Sequence, residues 1–180
     1  PHPRTIFRGF QKLPPGYCAV YQEDQLKVRP YWWPDFASER RISRREAVEE
    51  LRALLDSAVQ LRLRSDVPLG AFLSGGVDSS IVVALMQRHS TEPVKTFTIG
   101  FPVKEFDESD YAATVARHLK TDHRVLEVRP DAVDVLPQLA YHYDEPFADS
   151  SAIPTWYVSQ LTRQHVTVAL SGDGGDELFA

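Results

Sequence analysis

Ser74-Gly75-Gly76-Val77-Asp78-Ser79-Ser80 decides how the rest of the chain reads. Before it stands Val67-Pro68-Leu69-Gly70-Ala71-Phe72-Leu73, short and apolar enough for a buried strand. After it comes Ile81-Val82-Val83-Ala84-Leu85-Met86, apolar enough for a buried helix. Strand, glycine turn and helix together make one half of an α/β nucleotide site. Adjacent glycines let the backbone turn tightly and approach an anion, while the first N–H groups of the helix lack intrahelical partners and carry the positive end of its dipole. Ser74, Ser79 and Ser80 offer hydroxyl donors to phosphate oxygens, and Asp78 offers a hard oxygen to a Mg²⁺ arriving with the nucleotide. A Walker A loop would need a lysine before its serine or threonine, and a dinucleotide fingerprint three glycines spaced G-x-G-x-x-G. Neither is present. An ordinary βα turn, the plainer reading, does not require two glycines, three serines and an aspartate within seven residues.

The surrounding chain alternates strand and helix patterns. Upstream, Ser43-Arg44-Arg45-Glu46 has the form of a capping box, and Val48, Leu51, Leu54, Leu55, Ala58 and Val59 fall on one helical face, predicting a helix over 44–63 packed against the coming sheet. Downstream, Val94 to Phe101 reads as a second strand. Phe106-Asp107-Glu108-Ser109-Asp110 opens a helix with acids at its favourable end, and Tyr111, Ala112, Val115, Ala116 and Leu119 continue it. His123 to Val128 is a third strand. Asp131 to Tyr143 is a helix with Val133, Leu136, Leu139 and Ala140 inward, Pro154 to Gln164 another, and Val166 to Leu170 a fourth strand. The alternation predicts an α/β fold, a parallel sheet with helices on both faces.

The fourth strand runs into a second cluster, Ser171-Gly172-Asp173-Gly174-Gly175-Asp176-Glu177. An acidic surface turn is the plain alternative. Yet glycines at a strand end are also what a backbone needs to approach phosphate, and ligands of open α/β sheets bind along the carboxyl edge of the strands. The two clusters are therefore expected to face each other.

Residues 1–36 have another character. Tyr17 to Tyr21 and Leu26 to Arg29 read as two strands around the polar turn Gln22-Glu23-Asp24-Gln25, too little mass to fold alone, and Tyr31-Trp32-Trp33-Pro34 is aromatic bulk expected to seal an interface or core. Residues 37–43 read as a linker. Hydrophobic residues make up 43% of the chain and charged ones 25%, ordinary for a globular protein, and a net charge of −5 gives no pull toward nucleic acid or anionic membrane. Arg40, Arg41, Arg44 and Arg45 are interleaved with Glu39, Glu46, Glu49 and Glu50, so they make no single-sign field. One cysteine, Cys18, excludes internal disulfides, suits a cytoplasmic setting and reads as a buried structural residue. The six histidines show no metal-ligand spacing. No stretch is long enough to span a bilayer. A start at Pro1 without methionine and a stop at Ala180, just after the acidic cluster, read as an internal fragment.

Residues 74–80 resemble the pyrophosphate loop (PP-loop, S-G-G-x-D-S) of the ATP pyrophosphatase superfamily, which shares the adenine nucleotide alpha hydrolase-like fold and transfers AMP from ATP to a substrate oxygen. With the second cluster, and with Asp144-Glu145-Pro146-Phe147 between them, residues 44–180 resemble the first part of the synthetase domain of glutamine-dependent asparagine synthetases. Residues 1–36 resemble the last hairpin of their glutaminase domain. The resemblance implies ATP and Mg²⁺ as cofactors and assigns Asp78 and Asp176 to the metal and pyrophosphate. It assigns Ser74, Gly75, Gly76, Ser79 and Ser80 to phosphates, main-chain groups of Leu73 and Ile99 to adenine and ribose, and Ser171 and Gly172 to the flank of the nucleotide. Asp173 stands where well-known bacterial and animal members carry a glutamate, as acceptor of the ammonia proton, and is one methylene shorter. The implied partners are aspartate, ATP and ammonia from glutamine, with a homodimer compatible and with no nucleic acid or membrane. The family's N-terminal catalytic cysteine and a downstream lysine are not in this stretch, so the isolated chain is expected to be inactive. Two other readings remain open: a relative adenylating another carboxylate, such as a β-lactam synthetase or peptide-cyclising homologue, and a nucleotide-binding module without catalysis.

Overall fold

A computed structural model describes residues 2–37, 39–102, 104–128 and 132–179. The chain opens with an antiparallel hairpin, β1 (Tyr17–Gln22) and β2 (Gln25–Pro30), paired from Tyr17↔Pro30 to Gln22↔Gln25. Glu23 and Asp24 both take positive φ, 52° and 57°, which turns the chain with the twist the two strands need. After an irregular stretch come α1 (Arg44–Arg62), β3 (Leu69–Phe72), α2 (Val77–His89), β4 (Lys95–Gly100), a 3₁₀ turn (Lys104–Phe106) and α3 (Ser109–Leu119). They are followed by β5 (Asp122–Glu127), α4 (Ala132–Tyr143), α5 (Ala152–Arg163), β6 (Val168–Leu170) and α6 (Gly175–Phe179). The expected start of α4 at Asp131 lies outside the described residues.

Strands β3 to β6 form one parallel sheet in the order β5-β4-β3-β6. The chain builds outward from β3 through β4 to β5, then returns to lay β6 on the other side of β3. That reversal puts helices on both faces. On one face Ala71, Leu73, Val83, Met86, Val94, Ala112 and Ala116 bury themselves under α2 and α3. On the other, Phe97, fully buried, packs with Leu161 and Val166, and Val135, Leu139 and Ala152 continue that layer between α4 and α5.

Several expectations need correcting. The helix at 44–62 has its predicted capping box, with Glu46 N–H donating to Ser43 Oγ at 3.2 Å and Ser43 N–H to Glu46 Oε2 at 2.8 Å. It packs chiefly on α2 rather than on the sheet, and of its apolar face only Val59 is buried. In α4 the buried pair is Val135 and Leu139, whereas Val133, Leu136 and Ala140 are exposed. This helix packs chiefly against α5, so the face it buries is one i, i+4 stripe narrower than a sheet would demand. The fourth strand shortens to Val168–Leu170. Tyr31, Trp32 and Trp33, 72%, 62% and 70% exposed, are not part of a core among the described residues, and Cys18 is half-buried with a free thiol.

Candidate functional site

The reversal of strand order fixes where a site forms. From β3 the chain steps to β4 on one side and later returns to β6 on the other, and the crevice beyond the carboxyl ends of strands at such a reversal is where open α/β sheets take ligands. The loop after β3 holds residues 73–76, and the loop after β6 holds residues 171–174.

In the first loop the hydroxyls hold the turn together. Ser74 N–H donates to Ser79 Oγ (3.3 Å), Ser79 Oγ donates to the Gly76 carbonyl (3.3 Å), Gly76 N–H donates to Ser74 Oγ (3.2 Å), and the two serine oxygens lie 3.0 Å apart. Ser79 is buried and Ser74 exposed. These bonds occupy the serine hydroxyls within the turn, which leaves the main-chain N–H groups at the start of α2 as its free donors. Gly75 has φ +86°, and a Cβ there would sit 2.6 Å from Ala112 N and from Tyr111 Cβ, so the turn is pressed onto the first residues of α3. Leu73 is 1% exposed. Its N–H donates to the Phe97 carbonyl at 3.0 Å, and its carbonyl accepts the Thr98 hydroxyl.

The second loop closes on the first. A Cβ at Gly172 would lie 2.7 Å from Ser79 N, and one at Gly175 would lie 2.5 Å from Asp78 Cγ. At Gly172 the backbone leaves room for hydrogen alone, whereas at Gly175 a larger group would have to displace the Asp78 carboxyl. Gly175 N–H donates to the Gly172 carbonyl at 3.2 Å, and Asp173 N–H to Ser171 Oγ at 3.4 Å.

Together the loops wall a cavity of about 760 Å³, lined by Ser74, Gly76, Asp78 and Ser79 from one side and Ser171, Gly172, Asp173 and Asp176 from the other. A smaller cavity of about 230 Å³ adjoins it, lined by Leu73 and Ile99 together with Phe97, Phe101 and Val158. Phe72, Ser74 and Thr155 belong to both. The structure thus gathers Leu73 with Ile99, and Ser74, Gly76, Asp78 and Ser79 with Ser171, Gly172, Asp173 and Asp176. Gly75 and Ser80 line neither cavity. Ser80 Oγ is buried with no partner among the described residues, and Gly75 serves the contact with α3.

Asp149, Ser151 and Thr155, not singled out from the sequence, also line the larger cavity, as does Glu177 at the end of the second cluster. Asp149 accepts the Ser151 N–H at 2.9 Å, and the bonds from the Ser151 backbone and hydroxyl hold its carboxyl below the ordinary aspartate value. The Asp-x-Ser spacing ahead of α5 is the signal that could have marked this turn.

Asp78, Asp149, Asp173, Asp176 and Glu177 line the cavity, and among the described residues no lysine, arginine or histidine does. The Asp78 carboxylate has no hydrogen-bond or ion-pair partner among the described residues, although it is half-buried against Gly175. A polyphosphate entering such a cavity meets like charge unless a cation comes with it. Among the described residues no group of three or more His, Cys, Asp or Glu is arranged to hold a metal by itself. The donor set therefore fits Mg²⁺ held by one or two carboxylates and completed by phosphate oxygens and water, and does not fit an all-protein metal cage. A groove of about 580 Å³ between α5 and β6, lined by Trp156, Thr162, Arg163 and Val166, is a separate feature that contains neither glycine loop.

The Asparagine synthase family model matches residues 50–180. Among curated proteins, the putative asparagine synthetase (glutamine-hydrolyzing) 2 of Methanocaldococcus jannaschii is 40% identical over 182 residues, covering 99% of this chain and 35% of that protein. Asparagine synthetase (glutamine-hydrolyzing) 1 of Bacillus subtilis is 35% identical over 181 residues, covering 99% of this chain and 28% of that protein. The chain spans 28–35% of the length of these relatives. Among solved structures, an NH3-dependent NAD synthetase from Campylobacter jejuni superposes with a TM-score of 0.45 at 14% identity, over 76% of this chain and 59% of that one. That likeness is too distant to add to the family match.

Proposed function

This chain belongs to the asparagine synthase family, and on that footing we propose that it is the nucleotide-binding part of an ATP-dependent amide ligase that makes asparagine from aspartate. The observation that carries the reading is the seal of Gly172 and Gly175 onto Ser79 N and Asp78 Cγ, which joins two glycine corners over one cavity.

A carboxylate does not react with ammonia at neutral pH because its oxygen is a poor leaving group. Adenylation removes that obstacle. The β-carboxylate of aspartate attacks the α-phosphorus of ATP and the bond to the bridging oxygen breaks, releasing pyrophosphate. Ammonia then displaces AMP from the acyl-adenylate and loses a proton. In the first step negative charge gathers on the departing pyrophosphate, where the N–H groups at the start of α2 are already oriented, so they stabilise the transition state more than the ground state. Loss of one such preplaced donor costs about 2.7 to 4 kcal/mol in other enzymes. Asp78 and Asp176 would hold Mg²⁺, which when bound supplies the positive charge that five acidic side chains cannot. Asp173, exposed at the cavity rim, is the group we assign to accept the ammonia proton. The smaller cavity, with Leu73 and Ile99, takes the nucleoside.

Residues 1–36 form, on this reading, the end of a glutaminase domain that supplies ammonia from glutamine, residues 37–43 are its linker, and the synthetase domain starts at residue 44. Three aromatic side chains more than half exposed beside the hairpin support it, as a surface built to meet more protein. The experiment is Asp78→Asn in the complete protein, which should abolish aspartate-dependent release of pyrophosphate. Near-normal release would remove Asp78 from the mechanism. AMP formed from ATP without asparagine would point instead to a different carboxylate substrate.

A further inference from the structure

Glu108 has a place in the fold but no bond to show for its side chain. It is the N-cap of α3, yet it makes no side-chain cap bond. Asp107 does that work, accepting the Ser109 N–H at 3.1 Å and the Phe101 N–H at 3.3 Å. The Glu108 carbonyl accepts the Ala112 N–H at 3.0 Å in the ordinary helical way, while its carboxylate has no donor or cation partner among the described residues.

Glu108 is exposed, and it is one of the residues that line the 230 Å³ cavity. The other described side chains there are apolar or carry a hydroxyl, and among the described residues Glu108 is the one ionisable group. Its position along the cavity is informative. Phe72, Ser74 and Thr155 are shared with the larger, acidic cavity and so mark the junction of the two, whereas Glu108 lines the smaller cavity alone. A nucleotide with its phosphates in the larger cavity has its sugar at that junction and its base beyond, which brings Glu108 to the base rather than to the phosphates.

An ionised carboxylate can only accept hydrogen bonds. A 6-amino purine presents N–H donors at its exocyclic position, while a 6-oxo purine presents an acceptor there, which a carboxylate repels. We propose that Glu108 is a specificity residue that selects a 6-amino purine by accepting a hydrogen bond from the exocyclic amino group. The inference rests on the nucleotide reading above and deepens it. Phe97, Ile99, Phe101 and Val158 hold either purine equally well by burial, and the hydroxyls of Ser74, Thr98 and Thr155 can donate or accept, so a side chain that can only accept adds discrimination that they do not.

Equilibrium titration of the complete protein with Mg-ATP and with Mg-inosine triphosphate measures the preference, and Mg-pyrophosphate reports on the phosphate cavity independently of any base. The wild-type protein should prefer ATP. Glu108→Gln, which keeps the size and adds a donor, should reduce that preference by about tenfold with pyrophosphate affinity unchanged. A variant that still binds pyrophosphate and keeps the wild-type preference overturns the role of Glu108 and leaves the ligase reading intact, as does a wild-type protein binding both triphosphates equally. A wild-type protein that binds neither ATP nor pyrophosphate overturns both.

Discussion

A methyl group added at Gly175 would meet the end of a side chain, 2.5 Å from Asp78 Cγ, whereas one added at Gly172 would meet backbone, 2.7 Å from Ser79 N. The two glycines therefore differ in what they protect. The Asp78 carboxyl can swing away, so Gly175→Ala should leave the thermal midpoint almost unchanged while displacing a proposed metal ligand. A displacement of about 1 Å can cost about a hundredfold in rate, so pyrophosphate release in the complete protein should fall by that order. Unchanged release would show that the position of the Asp78 carboxyl does not matter. Gly75 is different again. With φ +86° and Ala112 N in the way, Gly75→Ala suffers in both backbone conformation and space, and it should destabilise the fold by more than about 1 kcal/mol in denaturant titration. The serines also divide. Ser74 and Ser79 bind each other and Gly76, while Ser80 Oγ is buried away from the cavity. Seven residues in a row mark a loop, but which hydroxyl faces a ligand depends on the helical phase of α2 and on what packs over it.

At the level of elements, helix starts were the most legible features. Ser43 and Glu46 form the reciprocal cap their spacing predicts, because a capping box is satisfied by four consecutive residues and needs nothing distant. Ser43→Ala should cost about 1 kcal/mol of stability, read from the denaturant midpoint at constant slope. A midpoint shift near zero would mean that α1 is held by its packing on α2 alone. The start of α3 was legible only in part. Acids were expected there for the helix dipole, and Asp107 fills that role, its carboxyl held below the ordinary value by bonds from the Ser109 hydroxyl and N–H and from the Phe101 N–H. That Glu108, one residue on, lines a cavity could not be read from composition. For α4 the pattern of apolar residues overstated the buried face, since Val133, Leu136, Leu139 and Ala140 fit one stripe while the contact with α5 selects Val135 and Leu139. Periodicity reports which residues could be buried, and the partner decides which are.

Across the whole molecule, β4 ties the two faces together. Phe97 fills the core beneath α5, and Thr96 on the same strand shares hydrogen bonds of 2.9 Å with Thr121 Oγ1 and with His123 Nδ1 on β5. Burial holds the His123 imidazole below its ordinary value, and its Nε2 has no partner among the described residues. The sign follows from linkage. Below about pH 6.5 the unfolded chain protonates this imidazole while the folded one still resists, so the unfolded state binds more protons and stability falls as pH drops from there toward the folded value. His123→Gln should flatten that part of the stability profile relative to wild type, and parallel profiles would show that His123 titrates alike in both states. The amino-acid sequence by itself determined the strand-turn-helix order, the parallel α/β class and both glycine clusters, because turn chemistry, caps and apolar runs act over a few neighbouring residues. Only the tertiary structure decided that Gly172 and Gly175 close on Ser79 and Asp78, that Asp149 and Ser151 join the same wall, and that Glu108 stands over the smaller cavity. Those contacts join residues far apart along the chain, and the closure of the two glycine loops exists because β6 returns to the far side of β3, a choice of strand order that no local pattern encodes.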